Sequence, residues 1–452
     1  MAVNYGFIQT TLNMSTGTQT LSDSNMSVTP KLAIMWLTEG SVAGTDVDDA
    51  VIGYGTATAT NSWAMSVTSQ DNQASTSSTR VATEGICLQL LDGGSESTKL
   101  VDAIFDSFGT GSITIDHQIA PSTGYIVNVI LIGGDDFTAQ VGFIDPTDTD
   151  SGTTDITTTF ESEGGIFGYV ERDDNSSGAG HIRFSVGYMS YISSVITQRV
   201  VALRESTGGG SGQPSMARRT DRVASYLSTT GSEVAGFEVT GVTSTTVEIT
   251  THTSGAASRD LFYILFNTNG QGVWTGDINS PTSTGDNSVT GIGFKPALFM
   301  PILSTLYTSD VDANNNTAGG MCLGVAVTDM ADNDLEGSSR ISLEDNANPT
   351  NTECSSESSI IRVTQGDGTD GIAASFTSFD SDGVTLNWGT VDGSNTWAGI
   401  GLALAEAPAG GTTYNQSASG TISPSGVIEK HINIQTGNNV NMLNIGPLTP
   451  GS

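Results

Sequence analysis

Catalysis needs side chains that converge, and histidine is the usual general base near neutral pH. The chain has four: His117, His181, His252 and His431. No two stand at metal-ligand spacing, and neither an H-E-x-x-H nor a C-x-x-C pattern occurs. No serine sits in a G-x-S-x-G elbow. His117 and His252 follow similar strands in two parts of the chain, but Trp388 stands there in a third. A position that accepts His, Thr or Trp reads as a rim or interface position, not as a base. Acids number 48 against 15 Lys and Arg, so close carboxylates arise by chance and single out no glycosidase pair. We read from the sequence no catalytic residue, no cofactor and no metal ligand, and expect a protein that is not an enzyme.

Asp310, Asp312 and Asn314 have the oxygen spacing of the start of an EF-hand loop. Asn315 replaces the turn glycine, however, and Met321 replaces the closing glutamate. Asp145, Asp148 and Asp150 form a similar acidic loop, as do Asp46, Asp48 and Asp49. We read all three as solvated loops, with loop Ca²⁺ as the lesser alternative. Gly208–Gly212 lacks the Lys-Ser/Thr of a phosphate loop and reads as a flexible connection. Trp36 and Trp397 sit on apolar runs and look like core, whereas Trp63 and Trp274 look loop-like and would be the candidate sugar platforms. Arg218, Arg219 and Arg222 are the one basic cluster, able to dock on an acidic face of another subunit. Cys87, Cys322 and Cys354 are too few for a disulfide framework; a Cys322–Cys354 bridge is conceivable, and free thiols are the simpler reading.

A net charge of −33 repels phosphate backbones and anionic membranes, so neither nucleic acid nor membrane is expected as a partner. The start, Met1 to Phe7, lacks the basic and apolar regions of a secretory signal. The best apolar runs, Tyr125–Ile132 and Phe294–Leu303, fall short of the roughly 20 residues that span a bilayer. We expect a soluble chain made in a cytoplasm.

The elements that would position any site are strands. Ser112-Ile-Thr-Ile-Asp116, Thr246-Val-Glu-Ile-Thr250 and Gly383-Val-Thr-Leu-Asn387 alternate apolar and polar, and each is followed by a polar turn and an apolar strand. Ile113, Val247 and Val384 correspond, with Phe108, Phe237 and Phe379 preceding them and five extra residues in the middle copy. Thr16-Gly17 leading to Pro30 matches Thr284-Gly285 leading to Pro296, while the middle copy keeps only the strand Gly164–Val170. The nearest helix candidate, Met216–Tyr226, is poor. We therefore expect an all-β chain of three tandem antiparallel β-sandwich or jelly-roll-like domains, each burying its own core: 1–136, a degenerate 137–270, and 271–408. Thr68–Thr79, Asp145–Thr159, Ser206–Pro214 and Asp332–Ser359 read as long polar loops. Residues 409–452 read as a Gly/Ser linker and a strand-forming C-terminal arm, suited to adding a strand to a neighbour.

Two segments carry a resemblance. The stretch Thr284–Ile302, with Ser378–Trp388, resembles repeats in virion structural proteins of tailed bacteriophages. Tyr414–Lys430 resembles Gly/hydroxyl/Pro strands near the ends of such proteins. The resemblance implies a virion-located structural protein, a capsid-exterior (decoration) or tail component, whose partners are other virion proteins and copies of itself as a homo-oligomer. It brings no catalytic residues. The alternative is a host-glycan-binding appendage, with Trp63 and Trp274 as platforms, and the third is a polysaccharide depolymerase.

Overall fold

Alternation in β-branched company makes a strand wherever one sheet face meets water. The computed structural model describes residues 3–406 except 74–76, 94, 148, 171–180, 207–213, 229–231, 253–259, 308–311, 314–317, 345–351 and 365–369. Among the described residues there are 32 strands and no helix. They form six antiparallel sheets arranged as three sandwiches, each with an inner sheet of six or seven strands and an outer sheet of four. The first inner sheet runs Asn4–Thr11, Ile126–Gly133, Pro30–Leu37, Ala50–Ala57, Ser62–Ser69, Ser78–Glu84. Thr138–Ile144 opens the same order in the second, and Val273–Asn279 in the third.

The outer sheets show how far the repeats correspond. Ile113, Val247 and Val384 are fully buried near the start of the second outer strand in their sandwiches. Each is flanked by an apolar pair: Leu21 and Phe108, Ile156 and Val242, Val289 and Phe379. The middle copy thus has Val242, not Phe237, in the phenylalanine's place, and no extra residues. Phe237 pairs instead with Thr251. Phe105 and Phe108 pack at 4.7 Å and Phe376 and Phe379 at 4.6 Å, whereas the middle copy has Val239 and Val242. The same register matches His117 with Thr251 and Trp388, all buried. His252 lies one residue further on, so it points to the other face.

Inner-sheet strands are apolar on both faces for a reason. In Leu261–Asn267, Leu261, Tyr263 and Leu265 join the second sandwich's own core. Phe262, Ile264 and Phe266 join a core that runs through all three sandwiches. In Trp397–Ala405 the division is the same: Trp397 and Ala403 inward to their own sandwich, Ala398, Ile400, Leu402 and Leu404 to the common core. Residues 1–407 accordingly form one compact unit, not beads on a string.

The contacts close a ring. In each seam the first inner strand of one sandwich packs on the fifth inner strand of another: Thr138–Ile144 on Ser62–Ser69, Val273–Asn279 on Val195–Ser206, Asn4–Thr11 on Asp334–Glu344. Three head-to-tail contacts of one kind that return to the start describe pseudo-threefold symmetry within a single chain. Strands are also lent across seams. Val47–Asp48 of the first sandwich pairs with Glu353–Cys354 of the third, and Asp312–Ala313 of the third pairs with Met216–Ala217 of the second.

Three sequence expectations fail here. Asp145–Thr159, read as a loop, contains the strand Thr153–Thr157. Asp332–Ser359 contains the strands Asp334–Glu344 and Thr352–Glu357. Met216–Tyr226 is not helical but lies in two strands, Ser215–Arg219 and Ala224–Leu227. The repeats also share a feature that sequence reading missed. Gly55, Gly187 and Gly324 lie on the fourth inner strand of their sandwiches, under the residue from which the chain enters the outer sheet. A Cβ there would lie 2.1, 2.0 and 2.0 Å from the carbonyl oxygens of Cys87, Val223 and Ile360.

Candidate functional site at the seams between sandwiches

The polar side chains that could do anything collect at the three seams. Between the third and first sandwiches, Ser338, Ser339, Arg340, Ser342, Ser355, Ser356 and Glu357 are buried on strands rich in serine. Buried polar groups need partners; Ser338 and Ser355 find theirs within the third sandwich, and the first supplies others. Asn128 Nδ2 donates to Ser339 Oγ at 3.1 Å, and Gln9 Nε2 donates to Asn128 Oδ1 at 2.9 Å and to the Glu357 carbonyl at 2.8 Å. The Thr38 and Ser356 hydroxyls share a bond of 3.1 Å. Past Thr38 the chain forms an arm over the third sandwich. There Asp46 Oδ1 lies 2.5 Å from Arg340 Nη2 and 2.9 Å from Arg362 Nη1. Arg340 is wholly buried, with Glu353 at 3.6 Å as a second counter-charge. Glu39, at the root of the arm, accepts the Gly93 N–H at 2.7 Å. Burial pushes its carboxyl up to about 7, with Asp49 and Asp92 adding to the rise and the Gly93 bond opposing it.

Between the second and third sandwiches, Arg199 Nε and Arg218 Nη1 lie 2.9 and 3.6 Å from Asp277 Oδ1. A cleft of about 390 Å³ opens here, lined by Glu161, Glu163, Tyr191 and Asn267 among others. One of its two acids, Glu163, is a brace. The Glu163 carboxylate accepts the N–H groups of Thr268 and Gly270, each at 2.8 Å, and the Thr268 hydroxyl at 2.6 Å.

Between the first and second sandwiches the seam is aromatic. Trp63 Nε1 donates to the Tyr263 carbonyl at 3.1 Å, and its ring packs 5.2 Å from Phe262. Beside it the first sandwich carries a groove of about 540 Å³ lined by Thr60, Asn61, Ser62, Glu84, Phe105 and Asp106. A hollow of about 170 Å³ shares Asn61, Ser62 and Glu84 and continues to Val141 and Phe143.

The sequence candidates scatter over this frame. Trp63 is fully buried on the strand Ser62–Ser69, so it is no exposed sugar platform. Trp274 lies on Val273–Asn279, half-buried against the third sandwich's core. His117 is buried, with Nε2 3.0 Å from Gln19 Oε1, and burial holds its pKa below the usual value. His252 Nε2 sits 2.5 Å from Glu238 Oε2. The arginine cluster is held by acids of its own chain: Arg218 by Asp277, Arg219 by Glu233 at 3.5 Å, Arg222 by Glu238 at 3.6 Å. Cys87, Cys322 and Cys354 are free and buried. Of the first acidic loop, Asp46 is engaged by arginines and Asp49 Oδ1 by the Asp71 N–H at 2.6 Å. Asp312 lies in the lent strand, while Asp310, Asn314, Asp148, Gly208–Gly212, His431 and residues 409–452 fall outside the described residues. Among the described residues, no three His, Cys, Asp or Glu are placed to hold a metal ion. No family model matches the chain, and no curated protein is significantly similar to it.

Proposed function

We propose that the chain is a structural component of a tailed-bacteriophage particle, on the capsid exterior or in the tail. It acts by self-association and by docking on other virion subunits. The observation that carries this reading is the ring: three sandwiches closed head to tail, with most of the polar side chains at their seams used as braces. Such a body is a rigid block with several similar faces, and repeated faces multiply weak contacts. The lent strands support the mechanism, because the fold already joins its own modules by adding a strand to a free sheet edge. We assign the same role to residues 409–452 toward a neighbouring subunit. A surface carrying a net charge of −33 stays soluble before assembly and selects partners with basic faces.

The test is cross-linking mass spectrometry on gradient-purified particles from a lysate whose phage encodes the chain. Peptides of the chain in stoichiometric amount, cross-linked from 409–452 to an abundant particle protein, are expected. Absence of the chain from intact particles overturns the reading.

A further inference from the structure

We propose that the groove on the first sandwich, together with the hollow where it meets the second, binds a neutral oligosaccharide. This goes beyond a structural role and uses surface that the assembly of the ring leaves open. The 540 Å³ groove and the 170 Å³ hollow share Asn61, Ser62 and Glu84, so they form one trough with a polar floor. Each end has a half-buried aromatic ring. Phe105 is held against Phe108 at 4.7 Å, and Phe143 against Phe262 at 6.2 Å. Shallow sites of this kind bind by apolar contact with a few placed polar groups. The C–H face of a pyranose supplies the first partner and its hydroxyls the second.

The floor has the hydrogen-bonding capacity that such a ligand needs. Glu84 is exposed, and its carboxylate has no hydrogen-bond or ionic partner among the described residues. Asn61 uses Nδ2 on the Val141 carbonyl at 3.3 Å, which leaves its Oδ1 for a ligand. Its position is fixed in advance. The Asn61 carbonyl accepts the Thr58 N–H at 2.8 Å, and the Gly85 N–H donates to the Ser62 carbonyl at 2.9 Å. Preorganisation of this kind lowers the entropy lost on binding. Glu84 and Asp106 in the lining, on a chain of net charge −33, turn away sugars bearing carboxylates or sulfates. The cleft at the next seam does not qualify, because Glu163 is saturated by backbone and Asn267 Nδ2 donates to the Glu161 carbonyl at 2.8 Å.

The purified full chain, applied to a printed array of neutral and uronic-acid-containing oligosaccharides, should bind neutral members saturably. The strongest is then titrated calorimetrically. Phe105→Ala and Glu84→Ala should each weaken it by about tenfold, while Met14→Ala, on an exposed turn away from the groove, leaves it unchanged. Thermal melts confirm that each variant is folded. The proposal is overturned by no saturable binding to any neutral member, by preference for the uronic acids, or by binding that both groove variants leave intact. None of these outcomes bears on whether the chain is part of a particle.

Discussion

Replacing Gly324 by alanine puts a Cβ 2.0 Å from the Ile360 carbonyl oxygen and 3.0 Å from the Pro301 ring, so backbone has to move. Overpacking of this severity costs about 3 kcal/mol. How far that shifts melting depends on the size of the unit that unfolds together. Unfolding entropy is about 2.1 cal/mol/K per residue near 60 °C. If residues 1–407 melt as one body, the sum is about 0.85 kcal/mol/K, and Tm falls by roughly 3–4 °C. If the third sandwich melts alone, its ~135 residues carry about 0.28 kcal/mol/K, and its own transition falls by about 10 °C. Differential scanning calorimetry separates the two cases. The common core predicts a single endotherm moved by a few degrees, and the same for Gly55→Ala and Gly187→Ala, whose Cβ atoms would lie 2.1 and 2.0 Å from carbonyl oxygens. Gly389→Ala is the control, since its Cβ meets nothing within 4 Å. A split endotherm with only one component displaced would refute the shared core.

The arm at the third seam gives a second prediction. Asp46→Ala removes the nearest counter-charge of the wholly buried Arg340 and should cost about 3 kcal/mol in urea unfolding. Adding Arg340→Met should recover most of that loss, and a single-variant effect too small to measure would mean that the ion pair does not hold the arm. The third prediction concerns pH. Glu39 ordinarily titrates near 4.5 and is raised to about 7 in the fold. The folded state therefore holds the proton more tightly than the unfolded one. The stability this confers is complete below the unfolded pKa and is lost as pH rises through the folded value. Glu39→Gln should flatten the decline in stability between about pH 4.5 and 7, and parallel curves for the two proteins would exonerate Glu39.

What could be read from the sequence was the part of the fold that faces water. Outer-sheet strands such as Thr246–His252 have one wet face, so their alternation is plain and Ile113, Val247 and Val384 align on it. The inner sheets were legible only as apolar runs, because a strand buried on both faces does not reveal which neighbour each face meets. Asp334–Glu344 and Thr352–Glu357 look like loop in the sequence because partners of their buried polar residues include Gln9, Thr38, Asn128 and Asp46, which lie more than 200 positions away in the chain. Trp63 misled for a related reason. A polar lead of Thr60, Asn61 and Ser62 makes it look like a loop residue, yet that lead is a hairpin tip and the indole behind it fills the seam with the second sandwich. The glycines at 55, 187 and 324 left a readable trace, one per repeat at nearly constant spacing, but without the crossing carbonyls there was no reason to choose them among 55 glycines.

The three seams share a geometry and differ in chemistry. One is a buried network of hydroxyls, amides and an arginine, one is bridged by arginines on Asp277, and one is packed with aromatic rings. Were all three alike, each sandwich could pair with any other, and chains could join to one another as readily as to themselves. Distinct seams make the wrong pairings costly, because an aromatic face set against the serine strands would strand their buried polar groups. The ring can therefore close in only one order. The same demand accounts for where the repeats have diverged: the outer hairpins, which pack chiefly on their own sandwich, keep their common register, while the inner strands have each adapted to a different neighbour.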